Sequence, residues 1–312
     1  MAFVLLTCLP GFRAPGERHE TMLFDTHAHF FSNDVARYPI DTAGAREGAD
    51  ELRKRVLTAP STAEIILKSW DGLHVEGGAG VQYNSTYKTD NRYLMDVCDS
   101  HPDRIGAVVI LDPQSTDTPA LLRKFVTERG VTGIRMTGFP DSTGHYSYLE
   151  SEAALNVWAE ADKLGIAVVL MYLPGRRPSE AALTRIGELA ARFPRLPVVL
   201  DHIGWPAAEG SPDFGLGAAH HALAASENVY FKLTTINLNV LDAAGIPSDQ
   251  FLRHVVDLYG ADRLMWGSDF GNTKGEFADM VRRANAATGL LNEEERRKVL
   301  HDTGKRLFAR RN

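Results

Sequence analysis

Two histidines, His27 and His29, lie two residues apart in the segment Asp25-Thr26-His27-Ala28-His29. Alternate residues of a β-strand point to the same face of the sheet, so a strand here would present both imidazoles to one side. Neutral imidazoles at a strand end could bind a metal ion or polarise a carbonyl group. The alternative for so short a motif is that both rings form only structural hydrogen bonds.

Two more ionisable residues, His202 and Asp269, follow short apolar segments. A buried strand has little reason to end in such a residue unless that residue is paired or functional, because an unpaired buried charge is costly. Taken singly, Asp269 could cap a helix that starts after Phe270, and His202 could be a hydrogen-bonded core histidine. All four residues together are better explained by a catalytic site. We expect Asp269 to act as a general base, with the histidines stabilising an oxyanion.

Other polar and aromatic residues could contact a substrate. Arg135 could pair with a carboxylate or phenolate, and Lys232 could place a positive charge beside the site. For both residues the alternative is an ion pair inside the protein, which for Lys232 would be made with Asp201 or Asp269. Ring and amide contacts could come from Tyr83, Asn84, Tyr172 and Trp205.

Short β-branched segments alternate with amphipathic segments of helical length, which is the pattern of repeated βα units around a parallel sheet. Eight strands are predicted, at residues 23–30, 80–84, 105–111, 133–137, 166–172, 198–202, 229–233 and 264–269. This pattern predicts an α/β protein built as a (β/α)₈ TIM barrel. Barrel enzymes carry their active sites at the C-terminal ends of the strands, where all four catalytic candidates would lie.

The predicted barrel is a single domain over residues 22–312 of the 312-residue chain. Residues 1–21 are predicted to be an N-terminal tail, either from a start codon assigned too early or an arm that packs on the barrel or on a neighbouring subunit. The apolar stretch within it lacks a basic flank and is too short to span a bilayer. A long insertion at residues 32–60 separates the first strand from its helix, on the side where such barrels bind substrate.

Composition limits the classes of partner. The net charge of −6 comes without a long basic segment, which argues against nucleic acid. The two cysteines form neither a disulfide framework nor a zinc-binding pair, and this predicts a cytoplasmic location. We therefore expect a small-molecule substrate, no nucleic acid and no membrane contact, while a homo-oligomer is compatible with the sequence.

The chain resembles the amidohydrolase superfamily, in the branch that contains pyrone dicarboxylate lactonase, sugar-acid lactonases and related decarboxylases. The resemblance runs over most of the sequence. It rests on the His27-Ala28-His29 strand and on residues 89–94, 131–135, 201–204 and 266–269, which read TDNRYL, VTGIR, DHIG and WGSD. It implies a barrel hydrolase that acts on a small cyclic ester or carboxylic acid.

Two departures from metal-dependent members affect the expected cofactor. Many of those members have a histidine near the end of strand five, where this chain has Met171 and Tyr172. Strand four offers Arg135 in place of a residue that bridges two metals. An arginine and a tyrosine at these places resemble the lactonase arrangement, which implies activity without a metal. The further arginines needed for two substrate carboxylates are missing, so a less anionic substrate is expected.

These observations predict the opening of a lactone of a sugar acid or of an aromatic-degradation intermediate. The first alternative is a zinc-dependent decarboxylase or carbon-carbon hydrolase, with one zinc ion held by His27, His29 and Asp269 and with His202 as acid and base. The second alternative is a barrel that binds a small molecule without catalysis. Of the two cofactor states, we expect the protein without metal.

Overall fold

Eight parallel strands follow one another around one sheet in chain order. The computed structural model describes residues 21–172 and 180–310. Its strands are Leu23–Ala28 (β1), Val75–Val81 (β2), Ile105–Val109 (β3), Gly133–Gly138 (β4), Ala167–Tyr172 (β5), Val198–Leu200 (β6), Val229–Thr234 (β7) and Leu264–Gly267 (β8). The predicted single (β/α)₈ barrel is confirmed.

Helices surround the sheet, because the longer helices present an apolar stripe to the outer face of the strands. In α4, for example, Leu94, Met95, Val97 and Cys98 are buried at helical spacing. The helices are Ala49–Thr58 (α1), Ala63–Gly72 (α2), Asn84–Tyr87 (α3), Arg92–Ser100 (α4), Thr118–Arg129 (α5), Ser147–Glu150 (α6), Glu152–Leu164 (α7), Glu180–Arg192 (α8), Ala218–Ala222 (α9), Thr235–Ala243 (α10), Ser248–Tyr259 (α11), Phe277–Ala287 (α12), Glu293–Arg297 (α13) and Thr303–Phe308 (α14). Within the described residues, no helix is both long and apolar enough to cross a membrane.

Polar contacts join β1 to β8 and bring the two ends of the sheet together. The Asp25 carboxylate accepts hydrogen bonds from the Ser268 backbone N–H at 2.8 Å and from the Ser268 hydroxyl at 2.6 Å. The Thr26 hydroxyl donates to the Trp266 carbonyl oxygen at 2.7 Å. Beyond the strand ends, the Asp269 N–H donates to the His27 carbonyl oxygen at 2.7 Å. The barrel is thereby closed beside the residues that the sequence marked as catalytic.

The second strand differs from its prediction. It was expected at residues 80–84, but it covers Val75–Val81, and Asn84 instead begins α3. The segment is rich in glycine, which weakens the strand signal in the sequence. Glycine is nevertheless needed at Gly78, where a Cβ atom would lie 2.2 Å from the Asp25 carbonyl oxygen and 2.7 Å from the Trp70 ring. Close packing, not strand propensity, explains this segment.

Three apolar clusters make up the core. The inner cluster fills the barrel with residues such as Val81, Val169 and Met265 and includes Phe308 from α14. The outer cluster lies between strands and helices. The third cluster packs the 32–60 insertion, including α1, against the aromatic residues that follow β2. The insertion therefore covers part of the barrel mouth, on the side predicted from the sequence.

The predicted N-terminal tail falls almost wholly outside the described residues. The described part begins at residue 21, and β1 starts at Leu23. The boundary proposed between the tail and the barrel therefore stays a prediction.

Candidate active site

The four predicted catalytic residues meet at the C-terminal end of the barrel. His27 Nε2 and His29 Nε2 are 3.2 Å apart, and each lies 3.5 Å from Asp269 Oδ1. The His202 ring centroid lies 5.6 Å from that of His27. All four side chains are buried. Strands β1, β6 and β8 thus bring together residues that are far apart in the sequence.

An oxygen acceptor lies behind each of the two β1 histidines. His29 Nδ1 lies 2.8 Å from the Val81 carbonyl oxygen, which can only accept a hydrogen bond. His27 Nδ1 lies 3.3 Å from the carboxylate oxygen Asp201 Oδ1. With its hydrogen on Nδ1, a neutral imidazole presents a lone pair at Nε2. Burial lowers the pKa of His27 to about 3, so this ring is neutral at pH 7.

Three lone-pair donors consequently converge on one point, a set of atoms that fits a metal ion. A tetrahedral zinc site with bonds of about 2.0–2.1 Å has ligand atoms separated by about 3.3 Å. The observed separations of 3.2, 3.5 and 3.5 Å match that spacing. Imidazole nitrogen and carboxylate oxygen are ordinary zinc ligands. His27, His29 and Asp269 are the group of possible metal ligands that the described residues contain.

Asp201 lies behind the site and holds two positive side chains. Its Oδ2 atom accepts a hydrogen bond from Arg135 Nε at 2.9 Å and lies 2.9 Å from Arg135 Nη2, while Lys232 Nζ lies 3.4 Å from its Oδ1 atom. Burial by itself would raise the pKa of Asp201, but Lys232, His27 and Arg135 together hold it well below its usual range. For Arg135 and Lys232, the structure therefore contains the internal ion pairs that the sequence had left as the alternative to substrate contact.

His202 lies in a turn whose backbone is left-handed at four consecutive residues, 202–205. The β-branched Ile203 has a φ of 55°, a conformation that L-residues adopt at a cost. Two residues at the start of α10 hold the turn. Asn237 Nδ2 donates to the His202 carbonyl oxygen at 2.9 Å, and the Thr234 hydroxyl lies 2.7 Å from His202 Nδ1. Burial lowers the pKa of His202 to about 4, so the ring is neutral at pH 7. Because Nδ1 contacts Thr234, Nε2 is the nitrogen without a partner within this turn.

The two oxygens of Asp269 have different surroundings. Oδ1 faces the β1 histidines, whereas Oδ2 accepts hydrogen bonds from Asn272 Nδ2 at 2.8 Å and from the Thr273 hydroxyl at 2.5 Å. Burial would raise the pKa of Asp269, but its contacts with His29, His27 and His202 hold it below its usual value. The next helix, α12, begins only at Phe277, so Asp269 is not the helix cap that the sequence also allowed.

The four residues that were predicted to supply ring and amide contacts to a substrate lie in different parts of the structure. The Trp205 ring lies 4.6 Å from that of His202, and the Tyr83 ring lies 4.8 Å from that of His29. Asn84 is half-buried at the start of α3. Tyr172 is separated from the others: it packs in the outer cluster, and its hydroxyl donates to the Gly204 carbonyl oxygen. The side chain of the preceding residue, Met171, points to the opposite face of the sheet, because successive side chains of a strand alternate between the two faces.

A cavity of about 470 Å³ opens beside Asn272 and Thr273, the partners of Asp269. The insertion contributes residues 45–47 to its wall, and α10 contributes Ile236, Asn239 and Val240. Amide, hydroxyl and charged side chains share the wall with apolar side chains. This cavity is large enough for a small ring and lies beside the residues that hold Asp269.

Several residues that hold the site were not predicted from the sequence. Thr234, Asn237, Asn272 and Thr273 orient His202 and Asp269, and Arg55 reaches the site from the insertion. One signal was available, because Asn272 and Thr273 follow Asp269 closely and Thr234 directly follows a predicted strand. The position of Arg55 has no such signal, since its distance from the site in the sequence is large.

The chain is similar in sequence and in fold to several known proteins. The chain is 30% identical over 240 residues to L-fucono-1,5-lactonase of Burkholderia ambifaria, covering 70% of this chain and 77% of the relative. It is 25% identical to 4-sulfomuconolactone hydrolase of Rhizobium radiobacter, covering 92% and 89%. The fold is similar to a crystal structure named a probable 2-pyrone-4,6-dicarboxylic acid hydrolase, from Acinetobacter baumannii with citric acid bound. That likeness has a TM-score of 0.67 at 17% identity and covers 92% and 98% of the two chains.

A family model described as amidohydrolase matches residues 24–310, which is nearly the whole barrel. The match includes each of the strands that carry the four catalytic candidates. The chain belongs to the amidohydrolase family.

Proposed function

We propose that this amidohydrolase opens a lactone of a sugar acid or of an aromatic-degradation intermediate, with Asp269 as the general base. The observation that carries the proposal is the ionised, buried Asp269 carboxylate, whose Oδ1 faces two oriented imidazoles beside a polar cavity. The names of two relatives, L-fucono-1,5-lactonase and 4-sulfomuconolactone hydrolase, support lactones as the substrate class. Family membership favours an enzyme over the non-catalytic barrel. A cytoplasmic location remains our prediction from the sequence.

In the proposed reaction, a water molecule attacks the carbonyl carbon of the lactone while Asp269 takes a proton from it. The carbonyl π electrons move onto oxygen, and the resulting oxyanion needs hydrogen-bond donors or positive charge opposite the base. When the tetrahedral intermediate collapses, the ring C–O bond breaks, and the alkoxide takes the proton back from Asp269. The product is the open hydroxy acid.

His202 is the residue that we assign to the oxyanion or the leaving oxygen. When the Thr234 hydroxyl donates to Nδ1, the ring hydrogen of neutral His202 is on Nε2, which can then donate to a substrate oxygen. Arg135 and Lys232 act at a distance in this proposal. They keep Asp201 ionised, and Asp201 in turn orients the imidazole of His27. This replaces the direct substrate contact that the sequence suggested for them.

The donor set of His27, His29 and Asp269 would hold a zinc ion. When bound, such an ion would act as a Lewis acid and lower the pKa of a water molecule. The lone-pair geometry thus favours the zinc-bound alternative over the metal-free state expected from the strand-five residues. It is also the observation that keeps a zinc-dependent decarboxylase or carbon-carbon hydrolase as the second candidate function.

One screen separates these functions. The purified protein is assayed with sugar 1,4- and 1,5-lactones, muconolactones, and hydroxybenzoic acids, following ring opening by acid release and decarboxylation by loss of the aromatic acid. We expect ring opening of at least one lactone. Turnover of the aromatic acids without any lactone hydrolysis would instead support the decarboxylase.

The metal is tested on the same preparation. Elemental analysis is expected to find about one zinc ion per chain, and chelation followed by zinc addition should abolish and then restore activity. Full activity after exhaustive chelation, with no metal in the protein, would return the assignment to the metal-free mechanism.

A further inference from the structure

We infer that Arg55, from the insertion between β1 and α2, is a positioning residue that fixes the orientation of the Asp269 carboxylate through Tyr83 and Asn272. The inference rests on the proposed function, because it names a residue that serves the same general base. Arg55 lies on α1, far from Asp269 in the sequence, and its side chain is 17% exposed at the edge of the mouth.

Four hydrogen-bonding groups form a continuous path from Arg55 to Asp269. Arg55 Nη2 donates to the Tyr83 hydroxyl at 2.8 Å, and that hydroxyl donates to Asn272 Oδ1 at 3.2 Å. Asn272 Nδ2 then donates to Asp269 Oδ2 at 2.8 Å. Tyr83 is only 4% exposed and packs against Phe31 and His29, so its hydroxyl has little freedom to turn away.

Arg55 determines which group donates and which accepts at each step of this path. A guanidinium group can only donate, so the Tyr83 hydroxyl must accept from Arg55 and direct its single proton to Asn272. Asn272 therefore presents its carbonyl oxygen to Tyr83 and its NH₂ group to Asp269. Asp269 Oδ2 is thereby held as an acceptor, and Oδ1 is left facing His27 and His29.

Arg55 itself is held firmly enough to set this direction. Glu47 Oε1 accepts from its Nη2 at 2.6 Å, and the Gly271 carbonyl oxygen accepts from its Nη1 at 2.5 Å. Gly271 belongs to the same turn that carries Asp269 and Asn272. The arginine thus joins the insertion to this turn both through the backbone and through the side-chain path.

Kinetics of single and double variants test the inference. We expect Arg55→Met and Tyr83→Phe each to lower kcat on the lactone substrate by roughly 10- to 100-fold while KM changes less than about threefold. The double variant should be no slower than the slower single variant, because either change interrupts the same path. Arg55→Lys, which keeps an obligate donor, should recover much of the loss.

Arg53→Met is the matched control, since Arg53 is an exposed arginine on the same helix. It should leave kcat and KM unchanged. A rise in KM with normal kcat for Arg55→Met would overturn the inference and make Arg55 a substrate contact. Multiplicative losses in the double variant would also overturn it, because they would mean independent roles.

A crystal structure of Tyr83→Phe provides a readout that does not need activity, and this variant removes one oxygen atom only. We expect the Asn272 amide to reorient and the Asp269 carboxylate to rotate away from the β1 histidines. An unchanged carboxylate would contradict the inference. If the wild-type protein opened no lactone, the proposed function would fail, while this structural comparison would still decide the positioning role.

Discussion

At the residue scale, the two carboxylate oxygens of Asp269 have different roles. Oδ2 is occupied by Asn272 and Thr273, and Oδ1 faces the centre that His27 and His29 also face. This asymmetry keeps one oxygen ready to accept a proton from water. The two donors on Oδ2 also offset part of the cost of burying this charge.

Asp269→Asn removes the proton acceptor without changing the shape of the side chain. We expect kcat on a lactone to fall by roughly 100- to 10,000-fold while the melting temperature stays within a few degrees. His202→Asn should cost less, because it removes a stabilising contact and leaves the base. Asp103→Asn, an exposed aspartate, is the control. Near-normal turnover by Asp269→Asn would show that another residue is the base.

The buried histidines predict how stability depends on pH. The folded-state pKa values are about 3 for His27 and about 4 for His202, below the value of 6.5 expected after unfolding. Between about pH 4 and 6.5 the unfolded chain binds more protons than the folded one, so the free energy of unfolding falls as pH is lowered. For His202 alone the effect is roughly 3 kcal/mol over this range.

Thermal melts of chelated protein between pH 4.5 and 7.5 measure this effect. The melting temperature should fall on the acidic side, and His202→Asn should flatten part of that fall. A slope that His202→Asn does not alter would place the source of the acid sensitivity elsewhere.

At the element scale, the left-handed turn after β6 depends on the start of α10. A run of positive φ angles at residues 202–205 is unfavourable on its own and needs support from its surroundings. Asn237 supplies that support with one side chain, since its Oδ1 accepts from the Thr234 N–H at 3.0 Å and its Nδ2 binds the His202 carbonyl oxygen. Helix capping and the position of His202 are therefore coupled.

Asn237→Ala breaks both contacts at once. We expect a loss of about 1–2 kcal/mol in unfolding free energy, from the lost cap and the freed carbonyl group, together with a clear drop in kcat. Asn239→Ala, two residues further along the same helix, serves as the comparison for stability. A variant that lost stability but kept full kcat would argue that the turn does not position His202 for catalysis.

At the scale of the whole molecule, all four catalytic candidates lie at the C-terminal end of the barrel, and the packed interior of the barrel lies below them. The inner apolar cluster lies below the buried group of Arg135, Asp201 and Lys232, and Lys232 Nζ lies 4.9 Å above the Phe308 ring. Charge is thus placed between an apolar core and the site. The insertion adds Arg55 and part of the cavity wall.

Because the first strand begins at Leu23, deletion of residues 1–21 should leave folding and activity nearly unchanged. The truncated and full-length proteins are compared by melting temperature and by kcat/KM on the same lactone. A large fall in melting temperature after truncation would show that this segment contributes to the stability of the barrel.

The sequence by itself predicted the barrel and the residues at its mouth, for a simple geometric reason. All strands of a parallel barrel end on the same side, so polar residues that close apolar segments must lie near one another. His27, His29, His202 and Asp269 were identified in this way. The second strand was predicted at the wrong residues because it is rich in glycine. Those glycines allow close contacts, such as that of Gly78 with Trp70, and strand propensity does not reflect such contacts.

The tertiary structure decided what the remaining residues contact. The sequence left Arg135 and Lys232 open between substrate and internal ion pairs, and only the fold shows that both meet Asp201. It also decided that Tyr172 packs outside the barrel, because a shift of one residue along a strand reverses the face. The path from Arg55 to Asp269 depends on chain segments that meet only after folding, and no local pattern encodes such contacts.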